Sequence, residues 1–191
     1  MKFTILSCSL RENNHTHLLA VHADQLLRDR GHQSTIIDAR KNPLRSFDDL
    51  NVYQDENFEL LYNAIKSANG VFIAAPVYNW SLGGVVKNII EATGSTGENG
   101  RRSAWFDQIV TFLCSGGLPH GYMAYSSLAQ ALMLDFKCIV NPYVVYSTDR
   151  DWVGERELSE QLRNRLKKTV EVKIELSEAL KQRRYSSGWE I

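Results

Sequence analysis

The sequence predicts an α/β fold, a three-layer sandwich whose middle layer is a five-stranded parallel sheet. Two observations carry this. Apolar strand-like runs alternate with amphipathic helix-like runs five times along 191 residues, a pattern that right-handed crossovers convert into helices on both faces of one sheet. The third run, GVFIAA at 70–75, is apolar at every position, as a central parallel strand buried on both faces requires. Five strands favour the order 2-1-3-4-5 over the six-strand dinucleotide arrangement.

The elements follow in order. Residues 2–8 (KFTILSC) read as the first strand, and 16–30 as a helix with an apolar stripe at Leu18, Leu19, Val21, Leu26 and Leu27. Gly31 stops it. A second strand at 34–38 leads through a polar connection at 48–57 to a helix at 58–68. After the third strand, 84–93 reads as the third helix, 108–115 as the fourth strand and 122–135 as the fourth helix. The fifth strand, 138–146, contains Pro142, which cannot donate to a ladder. A long charged helix, 155–182, closes the chain. The length suits one core, and no Pro, Gly or Ser tract marks a linker, so residues 1–191 are expected to form a single domain.

Lys plus Arg number 22 and Asp plus Glu number 22. This balance gives no electrostatic case for nucleic acid or an anionic membrane surface. Cys8, Cys114 and Cys138 are an odd set without CxxC spacing, each in or beside an apolar run, which fits buried, reduced thiols. With no membrane-length apolar segment and no signal-like amino terminus, the expected location is the cytoplasm.

Three polar loops leave strands at one sheet edge, because successive βα loops of a parallel sheet all emerge from its carboxyl end, where ligands bind. The first, SCSLRENNHT at 7–16, opens a helix and offers Ser9, Arg11, Asn14 and Thr16. A helix start presents unpaired N–H groups and a favourable dipole to an anion. The same residues also suit a plain helix cap, with Arg11 solvated. The second loop runs PVYNWSLG at 76–83, and the third SGGLPHG at 115–121. Glycines in the third let bare backbone approach a flat ring. Neither GxGxxG nor GxxxxGK[ST] is present, so the three loops together point to a mononucleotide-like ligand.

On these motifs the chain resembles the NAD(P)H-dependent FMN reductases of the flavodoxin-like superfamily, whose first loop reads GSxRxxSxN and whose second reads PxYN, small residues, then KNxI. Here the matching stretches are Cys8 to Thr16, and Pro76-Val77-Tyr78-Asn79 with Lys87-Asn88-Ile89-Ile90. The likeness covers about residues 2–146. Cys8, Asn14 and Thr16 depart from the family's Gly, Ser and Asn, and Val77 replaces a frequent acidic residue.

The resemblance implies that Ser9, Arg11, Asn14, His15 and Thr16 hold the FMN phosphate. It places Pro76, Val77, Tyr78, Asn79 and Trp80 along the isoalloxazine, with Ser115, Gly116 and Gly117 donating toward its pyrimidine edge. Hydride would pass from NADH or NADPH to flavin and on to a small-molecule electron acceptor, with no general acid, base or metal. His120, Arg101 and Arg102 are expected to be solvated or structural. Tyr78 is expected at the flavin and Trp80 at a subunit contact, in a homodimer or homotetramer, because the third and fourth helices carry more apolar surface than one sheet face needs. A flavodoxin-like electron carrier, or a quinone, azo or metal-ion reductase with tightly bound FMN, is the alternative.

Overall fold

The computed structural model describes residues 1–95 and 100–189. Its strands are β1 Lys2–Ser7, β2 Gln33–Asp38, β3 Gly70–Tyr78, β4 Ser81–Leu82, β5 Ile109–Ser115, β6 Ile139–Val140 and β7 Val145–Ser147, with a separate hairpin of β8 Trp152–Val153 and β9 Glu157–Leu158. The helices are α1 His15–Arg28, α2 Phe58–Lys66, α3 Gly84–Gly94, α4 Ser126–Phe136 and α5 Glu160–Ala179. The main sheet is flavodoxin-like and runs β2-β1-β3-β5-β6 with all of these pairs parallel; β4 adds to β3, and β7 to β5.

Burial on both faces explains the unbroken apolar run of β3. Val71, Ile73 and Ala75 point to one side, against Leu61 and Ile65 of α2, Val86 and Ile89 of α3 and Leu132 of α4. Phe72 and Ala74 point to the other, against Leu19, Ala23 and Leu27 of α1 and Leu162, Leu166 and Val170 of α5. Alternation vanishes because neither face meets water.

Four boundaries differ from the sequence reading. The expected loop after residue 75 is instead the end of β3, which continues to Tyr78 and turns back as β4. The expected fifth strand is split into β6 and β7, which with β4 gives the sheet seven strands rather than five. Asn141 N–H still bonds Val110 O at 2.8 Å, but Pro142 has no donor, and pairing resumes only at Val145. Asn141 holds the break: its Nδ2 donates to Thr111 Oγ1 (3.2 Å) and Thr169 O (3.0 Å), and its Oδ1 accepts from Tyr143 N–H. The last helix starts at Glu160 rather than 155, because Gly154 takes a left-handed φ of 63° that turns β8 into β9. Ser159 then caps α5 by accepting from Leu162 N–H at 3.3 Å. Finally, α4 begins at Ser126 after a 3₁₀ turn over Pro119–Met123.

The apolar surplus expected on α3 is absent, since Val86, Ile89 and Ile90 are all buried within the chain. It lies on α4 and the turn before it, where Tyr122, Met123, Met133 and Leu134 are exposed. The stretch 94–103 between the third helix and the fourth strand is polar in sequence, and its residues 96–99 lie outside the described residues.

At the amino edge of the sheet, Lys173 of α5 is fully buried. Its Nζ donates to Val71 O at 3.2 Å and to Ile109 O. Gly70 makes this possible, because a Cβ there would stand 2.4 Å from Lys173 Cε. Burial lowers the pKa of this amine well below 10.5.

Candidate functional site

The three loops meet at the carboxyl edge on three adjacent strands. Ser7 of β1 stands opposite Ala74 of β3, and Pro76 of β3 opposite Ser115 of β5. At a strand spacing of about 4.8 Å, the outer two loops begin roughly 10 Å apart.

The first loop turns through Asn13, at φ 45°, into the start of α1. Asn14 is the helix cap. Its Oδ1 accepts from His17 N–H at 2.7 Å while its Nδ2 donates to Arg11 O at 2.6 Å, so the capping alternative is realised and both side-chain groups are engaged. The cap satisfies His17 and leaves the His15 and Thr16 N–H groups without a partner among the described residues. Ser9 and Thr16 are each only 2% exposed, and Ser9 Oγ accepts from Arg11 N–H at 3.4 Å; neither side chain stands open as a surface donor. Arg11 is exposed and makes no ion pair among the described residues. The His15 ring is drawn sideways, stacked on Trp152 at 4.3 Å and 8°, with Nδ1 3.3 Å from Asp149.

In the second loop, Pro76 is buried in the sheet, Val77 is half-buried, and Tyr78, Asn79 and Trp80 are exposed. Asn79 and Trp80 both take left-handed φ, 49° and 63°, which makes the hairpin turn type I′. Asn tolerates that conformation; a bulky Trp there is an outlier, and its ring is 65% exposed.

The third loop is set by Tyr146, a residue the sequence reading left in the fifth strand without a role. Its hydroxyl donates to Leu118 O. Gly116 N–H donates to Ser147 O at 2.9 Å, so it is already paired and corrects the expectation of a donor toward a ligand. Gly117 N–H has no partner among the described residues, and a Cβ on Gly117 would meet nothing within 4 Å.

Two clefts flank this edge. One, of about 540 Å³, lies between Leu10, the 42–47 segment and the start of α3. Asn88, half of the KN pair in the motif, fixes its wall: Nδ2 donates to Arg45 O at 3.0 Å and Oδ1 accepts from Phe47 N–H at 2.7 Å. The other, of about 620 Å³, is lined by Asn14, His15, His17, Asp38, Arg40 and Arg156. Sequence spacing could not reveal Tyr146, Asn88 or Trp152 as organisers, since each acts on residues 28 or more positions away in chain order.

Beneath the loops, Cys8 and Cys114 are buried, and burial pushes both thiols up to about 12. At neutral pH they are protonated and unreactive. Among the described residues no group of three or more His, Cys, Asp and Glu is placed to hold a metal, and no helix is long and apolar enough to cross a membrane. What the edge offers among the described residues is unpaired amides, the unpaired Arg11 guanidinium and exposed aromatic side chains, the means of holding an anion and a flat ring.

No curated protein matches the chain in sequence. Among solved structures, it is similar to the flavoenzyme NAD(P)H:(acceptor) oxidoreductase FerB from Paracoccus denitrificans, at 19% identity and TM-score 0.75 over 93% of this chain and 97% of that one. An NADH:FMN oxidoreductase in its apo form is similar at 16% identity and TM-score 0.71, over 96% of this chain and 91% of that one. A flavodoxin from Streptococcus pneumoniae TIGR4 is similar at 14% identity and TM-score 0.59, over 92% and 99%. These likenesses concern the fold. Residues 1–152 match the family described as NADPH-dependent FMN reductase, and on that match the chain belongs to this family.

Proposed function

We propose that this flavin-dependent oxidoreductase is an NAD(P)H-dependent FMN reductase that takes hydride from a nicotinamide and delivers electrons to a small acceptor. One observation carries the reading. The free first-turn amides of α1 and the open Gly117 lie at the ends of β1 and β5, the two strands that flank β3, about 10 Å apart, a separation that suits the phosphate and ring of one mononucleotide.

The residues present fit FMN. The amides of His15 and Thr16, with Arg11, would hold the phosphate, and Ser9 and Asn14 shape the loop that aims them. Val77, Tyr78, Asn79 and Trp80 would line the ring, with Pro76 and Ser115 as its floor and Gly117 N–H as the donor. Bound there, FMN supplies hydride acceptance from NADH or NADPH and electron release to a second substrate. The chain's own contribution is to bind, orient and leave one ring face open; no side chain is required to move a proton.

The exposed Trp80, Tyr122, Met123, Met133 and Leu134 support a homodimer or homotetramer. Three buried reduced thiols suit a cytoplasmic setting. The test is anaerobic single-turnover reduction of FMN-loaded protein by NADH and by NADPH. Reduction by either supports the reductase. Failure with both, together with ready reduction by a reduced protein partner, makes the chain a flavodoxin-like carrier.

A further inference from the structure

A third cleft, of about 460 Å³, opens at the opposite, amino edge of the sheet, between the ends of α2 and α5, the start of β5 and the C-terminal segment. β5 spans seven residues, so at ~3.3 Å per residue this cleft lies about 20 Å from the flavin loops.

Lys66, Arg102, Lys181 and Arg183 line it against one carboxylate among the described residues, Asp107. That carboxylate is saturated by Ser187 N–H (2.9 Å), Ser187 Oγ (2.6 Å) and Arg102 (3.3 Å). Lys181 is paired with Glu178 at 2.8 Å. Lys66 and Arg183 have no carboxylate partner among the described residues; Lys66 Nζ donates to Tyr62 Oη at 3.1 Å, and Arg183 lies 5.9 Å from the Tyr185 ring centre. Helix C-termini attract cations, which accounts for Lys66 and Lys181. It does not account for Arg102, which belongs to neither helix end. Each of the two helix ends contributes only about half a negative charge, so the cleft keeps a positive field.

An independent feature sits in the same wall. Ser177 is 2% exposed, and its Oγ is a buried polar atom with no hydrogen-bond partner among the described residues. Native proteins rarely leave such a group unsatisfied.

We infer that this cleft is a second binding site, for a small molecule carrying a phosphate group. Lys66 and Arg183 neutralise the oxyanion, and Ser177 gains the partner it lacks. The volume leaves room for a ligand body beyond the phosphate.

Calorimetric titration with inorganic pyrophosphate tests this in saturating FMN, which fills the phosphate site of the first loop, using the wild-type protein, Arg11→Ala and the double variant Lys66→Ala/Arg183→Ala. Wild type and Arg11→Ala should bind equally, while the double variant loses about tenfold in affinity or more. If the double variant loses its helical circular dichroism, Arg183→Gln in the segment after α5 gives the same readout. Equal binding by wild type and the cleft variants overturns the site. So does loss of binding in Arg11→Ala alone, or no binding to wild type at about 10 mM, weaker than any useful site.

Discussion

Tyr146 Oη stands 2.6 Å from the position a Cβ on Gly116 would occupy, and the same distance from that of Gly121. One hydroxyl therefore fills the space left by two absent side chains and ties the turn between them to Leu118. Gly116→Ala should push Tyr146 aside and lower the melting temperature. Gly117→Val, entering open space, should leave it nearly unchanged while slowing flavin reduction, since bulk there blocks the nicotinamide's approach to about 3–3.5 Å. Thermal melts beside single-turnover rates decide this, and a Gly117→Val protein as unstable as Gly116→Ala would refute the geometry.

Tyr146→Phe removes the bond to Leu118 O and should cost about 0.5–1.5 kcal/mol. The loop loses its tether but keeps its packing, so FMN should bind more weakly without loss of fold. Unchanged FMN affinity in a fluorescence titration would show that the tether does not shape the site.

Arg11→Ala should weaken FMN by about 1.5–3 kcal/mol if the guanidinium makes a charge-assisted bond to phosphate. Equilibrium quenching of flavin fluorescence measures it. Identical affinities would return Arg11 to the solvated role that its exposure also allows.

Trp80 holds a conformation that costs a non-glycine residue roughly 1–2 kcal/mol. Trp80→Gly creates the Asn-Gly pair that type I′ turns prefer. Stability should rise by ~1 kcal/mol, about 2–4 °C for a chain of this size. The ring, mostly exposed, gives up little burial. A lower melting temperature would mean that Trp80 packs against something the single chain does not show, and sedimentation of both proteins would then identify a subunit contact.

Lys173 makes stability depend on pH in a specific sense. Its folded pKa lies well below 10.5, so between the two values the unfolded chain binds the extra proton and stability rises with pH. The three buried thiols act oppositely, because they ionise near 9 when unfolded and near 12 when folded. Comparing wild type with Lys173→Met removes the shared thiol contribution. The difference should shift in favour of wild type as pH approaches 10.5. Parallel denaturation midpoints across that range would contradict a buried, readily neutralised amine.

The sequence reading captured the parts of this fold that local pattern controls. Strand order follows from apolar runs such as 70–75, and strand polarity alone puts the three loops at one edge; the stripe of the first helix was legible at Leu19 and Leu27, which are buried, but not at Val21, which is exposed. It missed what depends on a distant partner. Pro142 hinted at the broken fifth strand, but the break is held by Asn141 through Thr111 and Thr169. Gly116 looked like a donor until Ser147, 31 positions on, claimed its N–H. Asn14 and Thr16 were chosen for their donor groups, yet one is spent on the helix start and the other is buried, and only backbone geometry decides between those uses.

The split edge of the sheet also bears on how these molecules behave when crowded. A long straight edge strand is a template for a strand from another molecule. Here the edge offers two residues, then a kink at Pro142, then three more. Arg165 lies across the gap, bonded to Val144 O at 3.0 Å, with its guanidinium 5.3 Å from the Tyr143 ring centre. No uninterrupted row of backbone groups remains on that side for a foreign strand to pair with. The protein's resistance to edge-to-edge aggregation is therefore built in asymmetrically, and the six-residue β2 is the border where protection must come from side chains instead.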